Sequence, residues 1–86
     1  MNLAGSSVLL TGGGRGIGRF LVERLVVESA QVCVLERDDA FCAELRELGA
    51  GRIHAWPCDV ADSSAVDATL QKVFDAGFEP DVLINN

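Results

Sequence analysis

The chain has 86 residues, 49% of them apolar, and a net charge of −6 from 7 basic and 13 acidic side chains. That length holds one small domain at most, and the acidic balance argues against a nucleic-acid or anionic-membrane surface. No apolar run approaches the ~20 residues of a membrane span, Met1 to Gly5 shows no signal-peptide pattern, and three cysteines without a C-x-x-C pair give neither a disulfide framework nor a zinc site.

Taken in order, four short apolar runs alternate with three helical patterns. The first strand is Ser7–Leu10, and the first helix runs from Gly16 to Ser29 with Ile17, Phe20, Leu21 and Leu25 on its inner face. The second strand is Gln31–Glu36. Asp38 or Asp39 caps a second helix that carries Phe41, Leu45 and Leu48 inward and ends at Gly49. The third strand is Arg52–Pro57. Asp62 or Ser63 caps a third helix with Val66, Leu70, Val73 and Phe74 inward and Gly77 at its end, and the fourth strand is Asp81–Ile84. Alternation with such short connections implies an α/β fold with a parallel sheet. Right-handed crossovers then give a Rossmann-type, doubly wound order 3-2-1-4, with two helices on one face and the third on the other. Ligands bind beyond the carboxyl ends of the strands, at the switch point between the first and fourth.

The polar and Gly-rich landmarks fall at those ends. Thr11 to Gly18 reads Thr-Gly-Gly-Gly-Arg-Gly-Ile-Gly, between a buried strand and a helix N-terminus. Such a turn is an anion site, because backbone N–H groups reach a phosphate and the helix dipole favours negative charge. Gly12 permits the tight turn, Gly16 lets a diphosphate approach, and Gly18 allows close helix–strand packing. Ile17 offers a backbone N–H, with its side chain read as packing. The spacing is G-x-x-x-G-x-G; G-x-G-x-x-G fits in no register, and no P-loop Gly-Lys-Ser/Thr follows.

With its leading Thr, this motif resembles that of the short-chain dehydrogenase/reductase family, where it binds the pyrophosphate of NAD or NADP. The resemblance extends along the whole chain. Glu36, 18 residues after Gly18, matches the acidic residue that hydrogen-bonds the adenosine ribose. A carboxylate there accepts from the 2′-hydroxyl and repels a 2′-phosphate by up to about 4 kcal/mol at close range, which favours NAD. Arg15 and Arg37 stand where NADP-using members often carry basic residues, unless Arg37 pairs with Glu36, Asp38 or Asp39. Asp59-Val60 resembles the family's adenine clamp, although Asp59 could instead cap the following turn. Asn85-Asn86 resembles the start of Asn-Asn-Ala-Gly, which edges the adenosine pocket. The cofactor-binding set implied is therefore Thr11, Gly12, Gly14, Arg15, Gly16, Ile17, Gly18, Glu36, Arg37, Asp59, Val60, Asn85 and Asn86.

The family's catalytic Ser, Tyr-x-x-x-Lys and further Asn lie downstream of these motifs. This chain has no Tyr, and its one lysine, Lys72, falls on the third helix. Residues 1–86 are thus expected to be the N-terminal part of a dinucleotide-binding domain, cut after the fourth strand and catalysing nothing alone. The implied parent is an NAD(P)-dependent oxidoreductase, a homo-oligomer acting on a carbonyl or alcohol substrate. The alternatives are a non-catalytic dinucleotide-binding regulator of the same fold and an inactive fragment. Three free thiols suit a reducing cytosol, so a cytoplasmic location is expected. His54 has no ligand partner nearby, so no metal site is expected; Trp56 reads as packing. Glu23, Arg24, Glu44, Arg46 and Glu47 read as solvated helix faces.

Overall fold

The computed structural model describes residues 3–14, 16–49 and 51–86. The elements in chain order are β1 (Ser7–Thr11), α1 (Gly16–Val27), β2 (Gln31–Glu36), α2 (Asp39–Leu48), β3 (Ile53–Pro57), α3 (Ser63–Asp75) and β4 (Val82–Ile84). They form one parallel sheet in the order β3-β2-β1-β4, as the alternation and the crossover rule require. Register places Val8 beside Val32 and Val82, and Leu10 beside Val34 and Ile84.

β1 and β2 read as continuous apolar runs because both of their faces are covered. Val8, Leu10, Val32 and Val34 point to one side and pack with Val22 and Leu25 of α1 and Cys42 and Leu45 of α2. Leu9, Cys33 and Leu35 point to the other side, where Val73 of α3 meets them, with Val66 and Leu70 partly buried beside it. No helix among the described residues is long and apolar enough to cross a membrane.

The helix termini follow from local chemistry. Asp38 caps α2 by accepting from the N–H groups of Ala40 and Phe41 at 2.9 and 3.2 Å. Asp62 caps α3 in the same way, through Ser64 and Ala65 at 3.0 and 3.2 Å. Each satisfies helix-start donors that would otherwise lack a partner. α1 stops at Val27, two residues before the expected end. Ser29 takes φ 65°, and the N–H groups of Ser29 and Ala30 fold back on the carbonyls of Val26 and Leu25, closing the helix in a Schellman-type turn.

The inner face of α1 differs from the expected one. Leu25 is buried and Leu21 packs partly buried against the core as expected, but Ile17 and Phe20 are 74% and 63% exposed, and Gly18 and Val22 are buried instead. The side chain-free Gly18 lets that stripe approach the sheet, which rotates the helix so that Ile17 and Phe20 face outward. In α2 and α3 the expected Leu45 and Val73 are fully buried, while Leu48 and Phe74 are partly exposed and Cys42 and Thr69 are buried as well.

Candidate dinucleotide site

All four strands deliver residues to one cleft beyond their carboxyl ends. It has a volume of about 330 Å³ and is lined by Gly12, Leu35, Glu36, Arg37, Cys58, Asp59, Val60, Ala61 and Asn86. Six of these nine are residues that the motifs single out: Gly12, Glu36, Arg37, Asp59, Val60 and Asn86.

The floor of the site is the junction of β1 with the chain after β4. Thr11 is buried, and its hydroxyl donates to Asn85 Oδ1 at 3.2 Å while accepting from the Asn86 N–H at 3.1 Å. Asn86 Nδ2 donates to the Gly12 carbonyl at 3.0 Å. Thr11 and Asn85 thus face each other across the β1–β4 seam, while Asn86 reaches the cleft.

Above this floor the Gly-rich turn leads into α1. Gly12 takes φ 71° and Gly16 takes φ 62°, a left-handed conformation that Gly enters without steric cost. Gly18 lies so close to the Gly12 carbonyl that a Cβ would overlap its oxygen. At Gly16 a Cβ would meet nothing within 4 Å, so the space in front of the α1 N-terminus is open. Ile17 presents its side chain outward there. Arg15, the other residue singled out in this turn, lies outside the described residues.

The far wall is made by β2 and β3. Glu36 is half-buried; its Oε1 accepts from the Gly14 N–H and its Oε2 from the Asp38 N–H, each at 3.1 Å. Arg37 is exposed and makes no ion pair with any described residue. Asp38 uses its Oδ1 to cap α2, and among the described residues the pairing considered for Arg37 with Glu36, Asp38 or Asp39 does not form. Asp59 does cap its own turn, accepting from Ala61 N–H through Oδ1 at 3.0 Å. It remains exposed on the cleft wall beside Val60.

Sequence reasoning missed three lining residues and two arginine contacts. Leu35 and Ala61 are apolar neighbours of motif residues with no signal of their own. Cys58 continues the β2–β3 pairing through its N–H to the Glu36 carbonyl at 3.0 Å. Arg19 bridges α1 to the turn, its Nη1 lying 3.4 Å from the Gly14 carbonyl and 3.5 Å from Glu44 Oε2. Arg46 is not merely solvated, because it donates to the Ala55 carbonyl of edge strand β3 at 2.7 Å. His54 sits away from the cleft, edge-on to Phe78 with ring centroids 6.2 Å apart.

Known proteins share this fold and much of this sequence. The family described as short chain dehydrogenase matches residues 6–86. Human epidermal retinol dehydrogenase 2 is 36% identical over 90 residues, which is 99% of this chain and 29% of that protein. Fluoren-9-ol dehydrogenase of Terrabacter is 41% identical over 88 residues, 98% of this chain and 24% of its own. Among solved structures, the Pseudomonas aeruginosa RhlG/NADP active-site complex superposes with a TM-score of 0.87 at 33% identity, covering 99% of this chain and 35% of RhlG. The Brucella melitensis 3-ketoacyl-(acyl-carrier-protein) reductase complexed with NADH gives a TM-score of 0.84 at 28% identity, covering 94% of this chain and 34% of the reductase. The chain therefore spans about a quarter to a third of these relatives. With the match over residues 6–86 and the parallel 3-2-1-4 sheet behind the Gly-rich turn, the chain belongs to the short-chain dehydrogenase family.

Proposed function

We propose that this chain binds the adenosine and diphosphate portion of a nicotinamide dinucleotide and serves an oxidoreductase that moves a hydride between that cofactor and a carbonyl or alcohol carbon. The observation that carries this reading is the open space in front of Gly16. A turn with two left-handed glycines and a helix N-terminus faces an empty volume that a Cβ would enter without contact. That is the environment a diphosphate needs: backbone N–H donors and a positive dipole end, with no side chain in the way. Dehydrogenases and reductases among the relatives, and two superposing structures that are complexes with NADP and with NADH, support the same class of cofactor.

NAD is the favoured form. Glu36 lines the cleft and presents a carboxylate for the ribose hydroxyls, and a 2′-phosphate brought there meets like charge. Arg37 is exposed on the same wall with no ion-pair partner among the described residues, which supports NADP as the second reading. Asp59 would accept from the adenine amino group through its second carboxylate oxygen, with Val60 along the ring. Calorimetric titration of the protein with NAD and with NADP tests the preference. Tighter binding of NAD is expected; tighter binding of NADP would show that the arginines outweigh Glu36.

A further inference from the structure

Within the Gly-rich turn, Gly14 is held by two side chains, one on its N–H and one on its carbonyl. Its N–H donates to Glu36 Oε1 at 3.1 Å, and its carbonyl lies 3.4 Å from Arg19 Nη1. Gly14 is buried, and a Cβ on it would overlap Glu36 Oε1 and lie 2.6 Å from Phe41 Cβ. A carboxylate, an arginine and the first turn of α2 therefore fix this residue from three sides. We infer that Glu36 is a positioning residue that sets the conformation of the Gly-rich turn through the Gly14 N–H, in addition to facing the ribose.

An ionised carboxylate has about four acceptor sites on two oxygens. In Glu36 one is spent on Gly14 and one on Asp38, so two remain for a pair of ribose hydroxyls. The turn that holds the diphosphate and the group that reads the ribose thus share one side chain. A substitution at Glu36 changes both, and the two jobs separate by chain length and by charge.

Glu36→Asp keeps the charge and shortens the reach by one methylene. Asp readily bonds the backbone N–H two residues on, here that of Asp38, and the shortened carboxylate then falls short of Gly14. Glu36→Gln keeps the reach and removes the charge. Its one amide oxygen goes to the part-buried Gly14 N–H rather than to the exposed Asp38 N–H, because a buried unpaired donor costs more than one that water can satisfy.

The affinity part of this inference rests on the dinucleotide reading; the hydrogen-exchange part stands without it. Amide exchange at Gly14 is measured in the wild type, Glu36→Asp and Glu36→Gln, with circular dichroism confirming the fold of each. The expected result is a protected Gly14 amide in wild type and Glu36→Gln, and exchange about tenfold faster in Glu36→Asp, equivalent to about 1.4 kcal/mol. Equal protection in all three overturns the positioning role. In titrations, Glu36→Asp should weaken NAD and NADP in parallel and keep their ratio. Glu36→Gln should shift the ratio toward NADP by about tenfold. A Glu36→Asp variant with wild-type affinity for both overturns the coupling. A wild type that binds neither dinucleotide refutes the cofactor reading, and the exchange result still decides the positioning role.

Discussion

Gly18 of α1 lies directly against the Gly12 carbonyl oxygen, and a Cβ on Gly18 would overlap that oxygen and come within 2.7 Å of Asn86 Nδ2. The same carbonyl accepts the Asn86 side-chain amide at 3.0 Å. One oxygen atom therefore joins the Gly-rich turn, the start of α1 and the chain after β4. Gly18→Ala should push α1 off the sheet and strain the Asn86 hydrogen bond. Overpacking of this kind costs about 1–3 kcal/mol. Urea unfolding of the variant reads the loss directly, and an unchanged midpoint would show that the contact relaxes freely.

Gly16 plays a different part. Its φ of 62° strains any other residue, and the space beyond it is open. Gly16→Val should weaken dinucleotide binding at least about tenfold, or 1.4 kcal/mol, because the branched side chain fills the diphosphate position. Gly51 supplies the control. It also has positive φ, 89°, with open space around it, and it lies just before β3, at the opposite end of the sheet from the cleft. Gly51→Val should carry similar backbone strain and leave affinity unchanged. Equal losses in the two variants would assign the effect to strain rather than to the site.

Burial pushes the Cys33 thiol up from an ordinary 9.0 to about 12. Burial also raises Cys42, partly offset by the Arg46 charge. In the unfolded chain these thiols ionise near their ordinary value, while in the fold they stay protonated. Between about pH 9 and 12 the folded state holds more protons, so stability is full below that window and falls as pH rises through it. The chain has no Tyr, and Lys72 is its one lysine, so few other side chains titrate there. Cys33→Ala should lower stability at pH 8 by leaving a cavity, yet flatten the decline above pH 9. Denaturant midpoints across that range check it, and an equally steep decline in the variant would contradict it.

The sheet order was legible because it depends on coarse features: four apolar runs, short connections and the handedness of crossovers. The place of the candidate site was expected on the same grounds, since the Gly-rich turn, Glu36, Asp59 and Asn85-Asn86 each stand at the carboxyl end of a strand. Helix rotation was less legible. Leu25 was expected inward and is buried, but Ile17 and Phe20 satisfy helical spacing with it as well as Val22 does, and hydrophobicity cannot rank a glycine. What buries the other stripe is the absence of a side chain at Gly18, a steric fact that appears only when the Gly12 carbonyl is in place. The hydrogen bond from Gly14 to Glu36 was hidden for a related reason. The donor is a backbone N–H, and no residue type in the sequence marks which amide points at a carboxylate. Arg46 likewise reads as a surface charge until β3 brings the Ala55 carbonyl to it.

The central claim is that the cleft beyond the strand ends takes the adenosine and diphosphate half of a dinucleotide. ADP-ribose carries that half without the nicotinamide, so it is the sharpest probe. Amide chemical shifts are followed by heteronuclear NMR as ADP-ribose, and separately nicotinamide mononucleotide, is added to the protein. The account predicts saturable shifts at Gly12, Gly14, Gly16, Ile17, Glu36, Arg37, Asp59 and Val60 with ADP-ribose, and weaker or absent shifts at Glu36, Asp59 and Val60 with nicotinamide mononucleotide. Shifts centred elsewhere, or none at millimolar ADP-ribose on a folded protein, would contradict it.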